Sequence, residues 1–322
     1  MINDPILLND WHVVARAEDV PEGTLVGVRL LGENLVLWKV NGQILAWRDL
    51  CIHRGTRLSL GRIEANQVIC AYHGWTYNTE GRCVRIPAHP EQVPPAKARV
   101  QTYQVRVRYG WVWVSLGNPE QDVPTFPEWD DPSFRKVFCG PYPYRASGPR
   151  AIENFLDVAH FPYVHEGLLG DRDHTAIEDY EASIGSDGVT ADNIRIWQPD
   201  PDGLGQGAMV TYTYRVFRPL TAYFVKTSAG PKFAIYFAVT PVEEVECIGW
   251  MWLAMNYGYD VPEEDLRGFE DRIVAQDIPI VESQRPELLP LDLQAELHLR
   301  CDRTAIAYRK YLRELGVTFG TA

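Results

Sequence analysis

Residues 51–75 read CIHRGTRLSLGRIEANQVICAYHGW, and this stretch decides the architecture of the N-terminal part. It opens on Cys51 and His53 and, after sixteen residues intervening from His53, closes on Cys70 and His73. Each half offers one thiolate and one imidazole, from a loop that follows a strand-like run. Gly55 and Gly74 come soon after the histidines, where a backbone bending tightly around a bound group needs conformations that glycine reaches freely. A structural zinc site is the plain alternative. Such sites usually pair two cysteines in one segment and two histidines in the other, whereas here each loop is mixed and one spacing is C-x-H.

Two thiolates on one iron and two imidazoles on the other are the ligand set of a Rieske [2Fe–2S] centre, so Cys51, His53, Cys70 and His73 are its candidate ligands. Neutral imidazoles in place of anionic thiolates raise the potential, which suits a relay between a low-potential reductase and an oxygen-activating iron. The surrounding sequence predicts a small all-β domain over residues 1–117. LVLWKV and QILAW flank Asn41-Gly42, a dipeptide suited to a tight hairpin turn, and YQVRVR meets WVWVSL across Tyr109-Gly110. Residues 118–149 then carry seven prolines and read as an irregular connection. Residues 150–322 form the remaining domain. It should hold a short helix at 152–161, an aromatic β-rich stretch at 180–256 and a long helix from Pro262. A last helix at 303–315 follows, with Asp302 placed to cap its start and Gly316 to end it.

A second constellation lies in ENFLDVAHFPYVHEG, residues 153–167. On a helix Asn154, Asp157 and His160 follow one another at i, i+3 along one face. His165 falls about 140° away from His160 on a regular helix, but Pro162 intervenes and a broken helix brings both histidines to one metal. Taken alone, the pair also fits two structural histidines. A carboxylate must complete the site. In the long helix the apolar stripe runs Leu266, Phe269, Ile273 and Ile280, and Asp277 occupies its missing step. An inward carboxylate needs a cation or hydrogen bonds, and Pro279 prevents a regular helix beside it. Asp265, Asp271 and Glu282 are rivals. Two histidines and one carboxylate form the facial triad of non-haem Fe(II) oxygenases, which leaves positions open for O₂ and water.

Both loops resemble those of Rieske-type ring oxygenases. Respiratory-chain Rieske proteins carry an additional cysteine in each loop, where this chain has Thr56 and Tyr72. The run Asp157-His160-His165 matches the D-x₂-H-x₄-H motif of the same family, and QDIPIVESQRP resembles the segment that supplies its aspartate ligand. RIPAHP, VPTFPEWDDP, HEGLLGDRDHT and DRTAIAYRKYLRELGVTFG look like the branch of caffeine N-demethylases and, most closely, saxitoxin-pathway hydroxylases, with vanillate and dicamba O-demethylases more distant. The resemblance implies an α+β chain: an N-terminal all-β Rieske domain, then a helix-grip (START-like) catalytic domain with an antiparallel sheet and flanking helices. It also implies that His160, His165 and Asp277 hold a mononuclear iron. Asp157 would be no ligand. It would hydrogen-bond His160 of its own chain and a Rieske histidine, His73, of a neighbouring subunit in a homotrimer. Asn154 resembles a polar residue close to the iron.

The expected activity is monooxygenation of a small heterocyclic or aromatic molecule, by hydroxylation or oxidative demethylation. It would use O₂, one [2Fe–2S] cluster and one mononuclear Fe(II) per subunit. NAD(P)H would act only indirectly, through a separate flavin/iron–sulfur reductase or ferredoxin, because the chain has no nucleotide-binding glycine fingerprint. Rivals are a cis-dihydroxylating dioxygenase and a Rieske electron carrier with a non-catalytic binding domain. Bulk properties narrow the partners. A net charge of −12 speaks against nucleic acid and anionic membrane surfaces. No apolar run approaches a membrane span, and the MINDPILLNDW start does not read as a secretory signal. Six scattered cysteines suit a reducing, cytoplasmic compartment. Cys83, Cys139, Cys247 and Cys301 have no partner pattern.

Overall fold

In the computed structural model, which describes residues 4–228 and 230–322, the chain divides into two units, Met1–Val123 and Pro124–Ala322. The first begins with a short helix α1 (Pro5–Leu8). Its strands are β1 (His12–Arg16), β2 (Leu25–Leu30), β3 (Glu33–Val40), β4 (Gln43–Arg48), β5 (Arg62–Glu64), β6 (Gln67–Ile69), β7 (Thr76–Tyr77), β8 (Cys83–Arg85), β9 (Thr102–Arg108) and β10 (Trp111–Ser115). Six pair in the order β1-β10-β9-β4-β3-β2, and the other four form the sheet β5-β6-β7-β8. Both expected hairpins are present. Asn41 and Gly42 take φ of 50° and 79°, and Tyr109 and Gly110 take 57° and 72°, the positive pair that a two-residue turn needs to match strand twist. Trp38 and Trp47, fully buried, pack edge to face at 4.9 Å and anchor a core that reaches Cys51 and Cys70.

The second unit is built on one antiparallel sheet of seven strands. These are β11 (Arg135–Tyr144), β12 (Glu181–Gly185), β13 (Gly188–Gln198), β14 (Ala208–Arg218), β15 (Thr221–Thr227), β16 (Lys232–Glu243) and β17 (Glu246–Met255), in the order β11-β17-β16-β15-β14-β13-β12. The segment 118–149, expected to be irregular, thus contributes a ten-residue strand. Its prolines are tolerated because β11 lies at the sheet edge, where Pro141 falls in a bulge between Cys139 and Tyr142 and a missing N–H breaks no ladder. Side chains alternate across the sheet. On one face Tyr214, Phe224, Ile235 and Leu253 stand in one cross-strand row, and Tyr212, Lys226, Phe233 and Met255 in the next.

Four helices complete the unit: α2 (Gly148–Leu156), α3 (Phe161–Val164), α4 (Glu263–Ser283) and α5 (Arg303–Leu315). Helix α4 packs along β11, α5 across β12 and β13, and α2 on β15–β17. Helix α5 has the expected span and ends on Gly316 at φ 81°. Asp302, expected to cap it, turns its carboxylate back to the N–H of Leu299 instead, closing the preceding 3₁₀ turn (2.7 Å). Helix α4 runs on through Pro279 to Ser283, contrary to expectation. Pro279 and Ala275, the residue whose carbonyl the proline leaves without a donor, are both exposed, so water can satisfy that group.

Helices α2 and α5 are joined by a buried ion network. Arg309 donates from Nε and Nη2 to the two carboxylate oxygens of Glu153 (2.5 and 2.7 Å) and also pairs with Glu296, which accepts from Arg150 at 2.8 Å. Both arginine side chains are 2% exposed. Arg309→Met would leave the Glu153 carboxylate facing only Arg150 at 3.6 Å. Removing one partner of a buried pair costs roughly 3–5 kcal/mol, so thermal melting should fall on the order of 10 °C. An unchanged melting temperature would refute this reading of the network.

Candidate functional site

The two cysteine–histidine loops are built alike. In the first, the N–H of Cys51 donates to the carbonyl of Thr56 (2.8 Å) and that of Gly55 to Cys51 (2.9 Å); in the second, Cys70 donates to Trp75 (2.9 Å) and Gly74 to Cys70 (3.0 Å). Gly55 and Gly74 close these turns with φ of 73° and 69°. The repeated bonding sets both thiols inward and buried, with His53 half-buried and His73 exposed. The two imidazoles meet edge to face at 4.5 Å, and Trp75 lies flat on His53 at 4.6 Å. Nδ1 of His53 is buried without a hydrogen-bond partner, as a ring nitrogen kept for a metal must be. Two sulfurs on the inner side and two imidazoles on the outer fit a cluster with thiolates on one iron and histidines on the other. The Tyr77 hydroxyl, which sequence reasoning did not single out, stands 3.1 Å from Sγ of Cys51.

In the second unit the structure brings His160, His165 and Asp277 together. Helix α2 starts at Ser147, with Pro149 in its first turn, and stops at Leu156; Asp157 is already extended, at φ −92° and ψ 133°. Asn154, Asp157 and His160 therefore do not share one helical face. The Asp157 carboxylate accepts the N–H of Ala159 at 2.8 Å, and this local bond competes with continuation of the helix. His160 caps the start of α3, and Pro162 sits in that helix's first turn, where its missing N–H is harmless. The break lies ahead of His160 rather than at the proline. His165 follows α3 immediately.

From α4, Asp277 faces inward as its stripe position requires. The buried positions of that helix are Glu270, Ile273, Val274, Asp277 and Val281, whereas Ile280, expected in the stripe, is exposed. The rivals are otherwise placed. Asp271 accepts from the Tyr142 hydroxyl (2.7 Å), Glu282 from the N–H of Arg145 (2.8 Å), and Asp265 is exposed.

Nε2 of His160 and Nε2 of His165 stand 3.2 Å apart, and Oδ1 of Asp277 lies 3.4 and 3.1 Å from them. Donors at right angles on metal bonds of about 2.1 Å would stand about 3.0 Å apart, so this triangle fits three neighbouring positions of an octahedron. The other ring nitrogens are committed. Nδ1 of His160 pairs with Asp157 (2.9 Å) and Nδ1 of His165 with Oε1 of Gln276 (2.8 Å). Both partners are acceptors, so both protons sit on Nδ1 and the Nε2 lone pairs converge with the carboxylate on one point. Three acceptors facing one another need a cation. Burial alone would pull the His160 imidazolium down, but Asp157 and Asp277 outweigh it and hold it up at about 9. Burial likewise works against the Asp277 carboxylate, and the two histidines overcome it, leaving its pKa below the usual aspartate value. The surroundings favour positive charge at this point, and a divalent metal supplies it. Asn154 Nδ2 donates to the same Asp277 oxygen at 3.4 Å.

A cavity of about 670 Å³ opens from this triad between α4 and the sheet. From the aromatic strands Tyr212, Tyr214, Phe224, Phe233 and Phe237 line it, while Tyr236, Trp250 and Trp252 do not. Tyr236 turns to the other side, stacking on Phe126 at 5.0 Å, as alternation with Phe237 requires. Among the described residues no two cysteines form a disulfide, and Cys83, Cys139, Cys247 and Cys301 lie outside both constellations. Among the described residues no helix is long and apolar enough to cross a membrane.

Comparison with known proteins places both halves. Residues 10–104 match the family model for the Rieske [2Fe-2S] domain, and residues 144–318 that for the vanillate O-demethylase oxygenase C-terminal domain. Methylxanthine N1-demethylase NdmA of Pseudomonas putida is 31% identical across 98% of this chain and 91% of its own length. The structure of that protein with caffeine superposes with a TM-score of 0.82 at 29% identity, covering 96% of this chain and 91% of that one. Dicamba monooxygenase bound to dicamba, at 23% identity, shares the fold with a TM-score of 0.79 over 97% of this chain and 98% of its own. Two mixed cysteine–histidine loops, a histidine pair completed by an inward aspartate, and family matches along nearly the whole length agree: the chain belongs to the Rieske oxygenases of the vanillate O-demethylase type, non-haem iron monooxygenases that use O₂ with a [2Fe–2S] cluster and a mononuclear iron.

Proposed function

We propose that Cys51 and Cys70 hold one iron of the cluster and His53 and His73 the other, and that His160, His165 and Asp277 hold the mononuclear iron. The observation that carries this is the convergence of three lone pairs on one point while both Nδ1 atoms are tied to acceptors. Iron held there supplies activation of O₂ for inserting one oxygen atom into a C–H bond of a small heterocyclic or aromatic molecule. When that carbon is an N- or O-methyl group, the hydroxylated product sheds it. The protein's own groups do the positioning. Asp157 and Gln276 orient the two imidazoles, Asn154 steadies the Asp277 carboxylate, and the aromatic wall holds a flat ring and excludes water.

Electrons come from NAD(P)H through a separate reductase or ferredoxin. The Asp157 side chain is 34% exposed, leaving it free to meet His73 of a neighbouring copy in a cytoplasmic homotrimer. Iron counting on the purified protein tests the assignment: three irons per chain support the oxygenase, and two make it a carrier. Labelled O₂ should leave one atom in the organic product, where two would identify a dioxygenase.

Tyr77 provides a further check. Burial, together with its bond to Cys51, pushes its hydroxyl well above the usual tyrosine range, so it stays protonated and donates to a cluster thiolate. A hydrogen bond that is about 1 kcal/mol stronger to the reduced cluster raises a one-electron potential by about 40 mV. Tyr77→Phe should lower the midpoint by that order in a spectroelectrochemical titration while keeping the Rieske absorption. An unchanged midpoint would count against Cys51 as a ligand.

A further inference from the structure

Strand β11 and helix α4 run side by side in the same direction, and three hydrogen bonds fix their register. Arg267 Nε donates to the carbonyl of Phe138 (2.8 Å), the Tyr142 hydroxyl to Asp271 (2.7 Å) and the N–H of Arg145 to Glu282 (2.8 Å). Tyr144 follows Tyr142 by two residues and points to the same face of the strand. It therefore faces the part of α4 between Asp271 and Glu282, where Asp277 lies. Its ring rests over Gly249, where a Cβ would stand 3.3 Å from Cε2 of Tyr144 and 2.9 Å from Cε2 of Phe237. Phe237 in turn stacks at 4.9 Å on Phe155, the neighbour of the Asn154 that donates to Asp277. Tyr144, Asn154, Phe155 and Phe237 all line the cavity.

Tyr144 is 4% exposed, and among the described residues its hydroxyl makes no hydrogen bond. A buried hydroxyl without a partner is costly, and the cost falls when something entering the cavity accepts from it. Burial, and after it the Asp277 carboxylate, hold this hydroxyl well above the usual tyrosine range, so it keeps its proton. The other hydroxyls of the wall are placed differently. Tyr212 and Tyr257 lie toward Glu270, two turns of α4 before Asp277, and are held by Gln198 (3.0 Å) and the carbonyl of Pro201 (3.4 Å). The Tyr214 hydroxyl has no partner but is enclosed within the wall.

We propose that Tyr144 is a further catalytic residue, the hydrogen-bond donor to O₂ taken up beside Asp277. The inference rests on the oxygenase reading and adds to it the group that meets the co-substrate. Electrons delivered to O₂ place negative charge on it, and a donor already fixed in a dry wall stabilises that charge without having to reorient.

The test is infrared spectroscopy of the reduced, anaerobic holoprotein with stoichiometric nitric oxide, a diatomic stand-in for O₂ whose N–O stretch reports hydrogen bonding. In the wild type the stretch should shift when H₂O is exchanged for D₂O. Tyr144→Phe should raise the frequency and abolish the D₂O shift, while iron content and cluster absorption stay as in the wild type. Tyr214→Phe should leave the shift intact. A shift that survives in Tyr144→Phe, or is lost in Tyr214→Phe, overturns the proposal. So does a wild-type stretch that ignores D₂O, and that result needs no variant, so a poorly folding substitution does not protect the idea. Formation of the nitrosyl, read by electron paramagnetic resonance, separates the two readings. A nitrosyl insensitive to D₂O refutes this inference alone, whereas a protein with three irons per chain that forms none refutes the mononuclear site itself.

Discussion

Asp277→Ala should abolish turnover and empty the mononuclear site while the visible spectrum of the cluster stays that of the wild type. Among the described residues the carboxylate is one of three ligand-bearing groups converging on that point, and its Oδ1 stands within 3.4 Å of both histidine Nε2 atoms. Loss of an outer partner of a metal ligand already costs about 10–100-fold in affinity, so loss of a ligand should cost more than that. The two imidazoles that remain should then lose the iron during purification. The cluster loops belong to the other unit and have their own hydrogen-bond frame, so nothing in them depends on Asp277. Asp271→Ala is the matched control. Asp271 sits on the same helix but serves the Tyr142 hydroxyl, and its removal should leave iron and turnover near wild type. Iron analysis, visible absorption and product yield on the two variants decide the matter. If Asp277→Ala keeps its iron and its activity, the triad is wrong. His160→Ala and His165→Ala should behave as Asp277→Ala does.

Why some of this was readable from the chain and some was not follows from where each signal is stored. The cluster loops are local: Cys51 and His53 are neighbours, as are Cys70 and His73, and the hairpin at Asn41-Gly42 is fixed by two residues that accept positive φ. Asp277 is distant from the histidines in sequence, yet a carboxylate interrupting an apolar helical stripe betrays itself. The same logic points to Glu270 one heptad earlier, where Phe269 already filled the step and hid it. What failed was the helical phase around Asp157. Periodicity counts residues along an assumed helix, and a single Asp side chain taking the Ala159 N–H ended that helix first. The Asp157–His160 bond is real, but an extended link and a new helix start produce it rather than an i, i+3 face. Similarly, strand alternation separates Tyr236 from Phe237, but the side facing the iron depends on what packs there, which no strand records by itself. Gln276 gave no signal at all, since an exposed helical amide is ordinary until a histidine arrives beside it.

The local geometry of Asp157 sharpens what its replacement should do. One carboxylate oxygen accepts the Ala159 N–H and the other pairs with Nδ1 of His160, at 2.8 and 2.9 Å. Each oxygen keeps a second lone pair, and with a third of the side chain exposed the group can accept another donor from outside its own chain. We propose that donor to be His73 of a neighbouring copy, a residue itself exposed. Asn is nearly isosteric, but one of its two positions becomes an NH₂ that cannot accept. Asp157→Asn can therefore satisfy Ala159 or His160 fully, but not both together with a donor from the next subunit. His165, Asp277 and the unchanged Nε2 of His160 still converge, so the variant should retain most of its mononuclear iron and all of its cluster absorption. The reductase should still reduce the cluster, because the cluster's own ligands are untouched. Onward transfer is where the loss should appear. With substrate and O₂ present, reoxidation of the reduced cluster should slow by roughly ten- to a hundredfold, the worth of one charge-assisted hydrogen bond. Stopped-flow absorbance reads this directly, apart from iron content. Wild-type reoxidation with normal product yield in Asp157→Asn would remove Asp157 from the electron path and leave it a support for His160 alone.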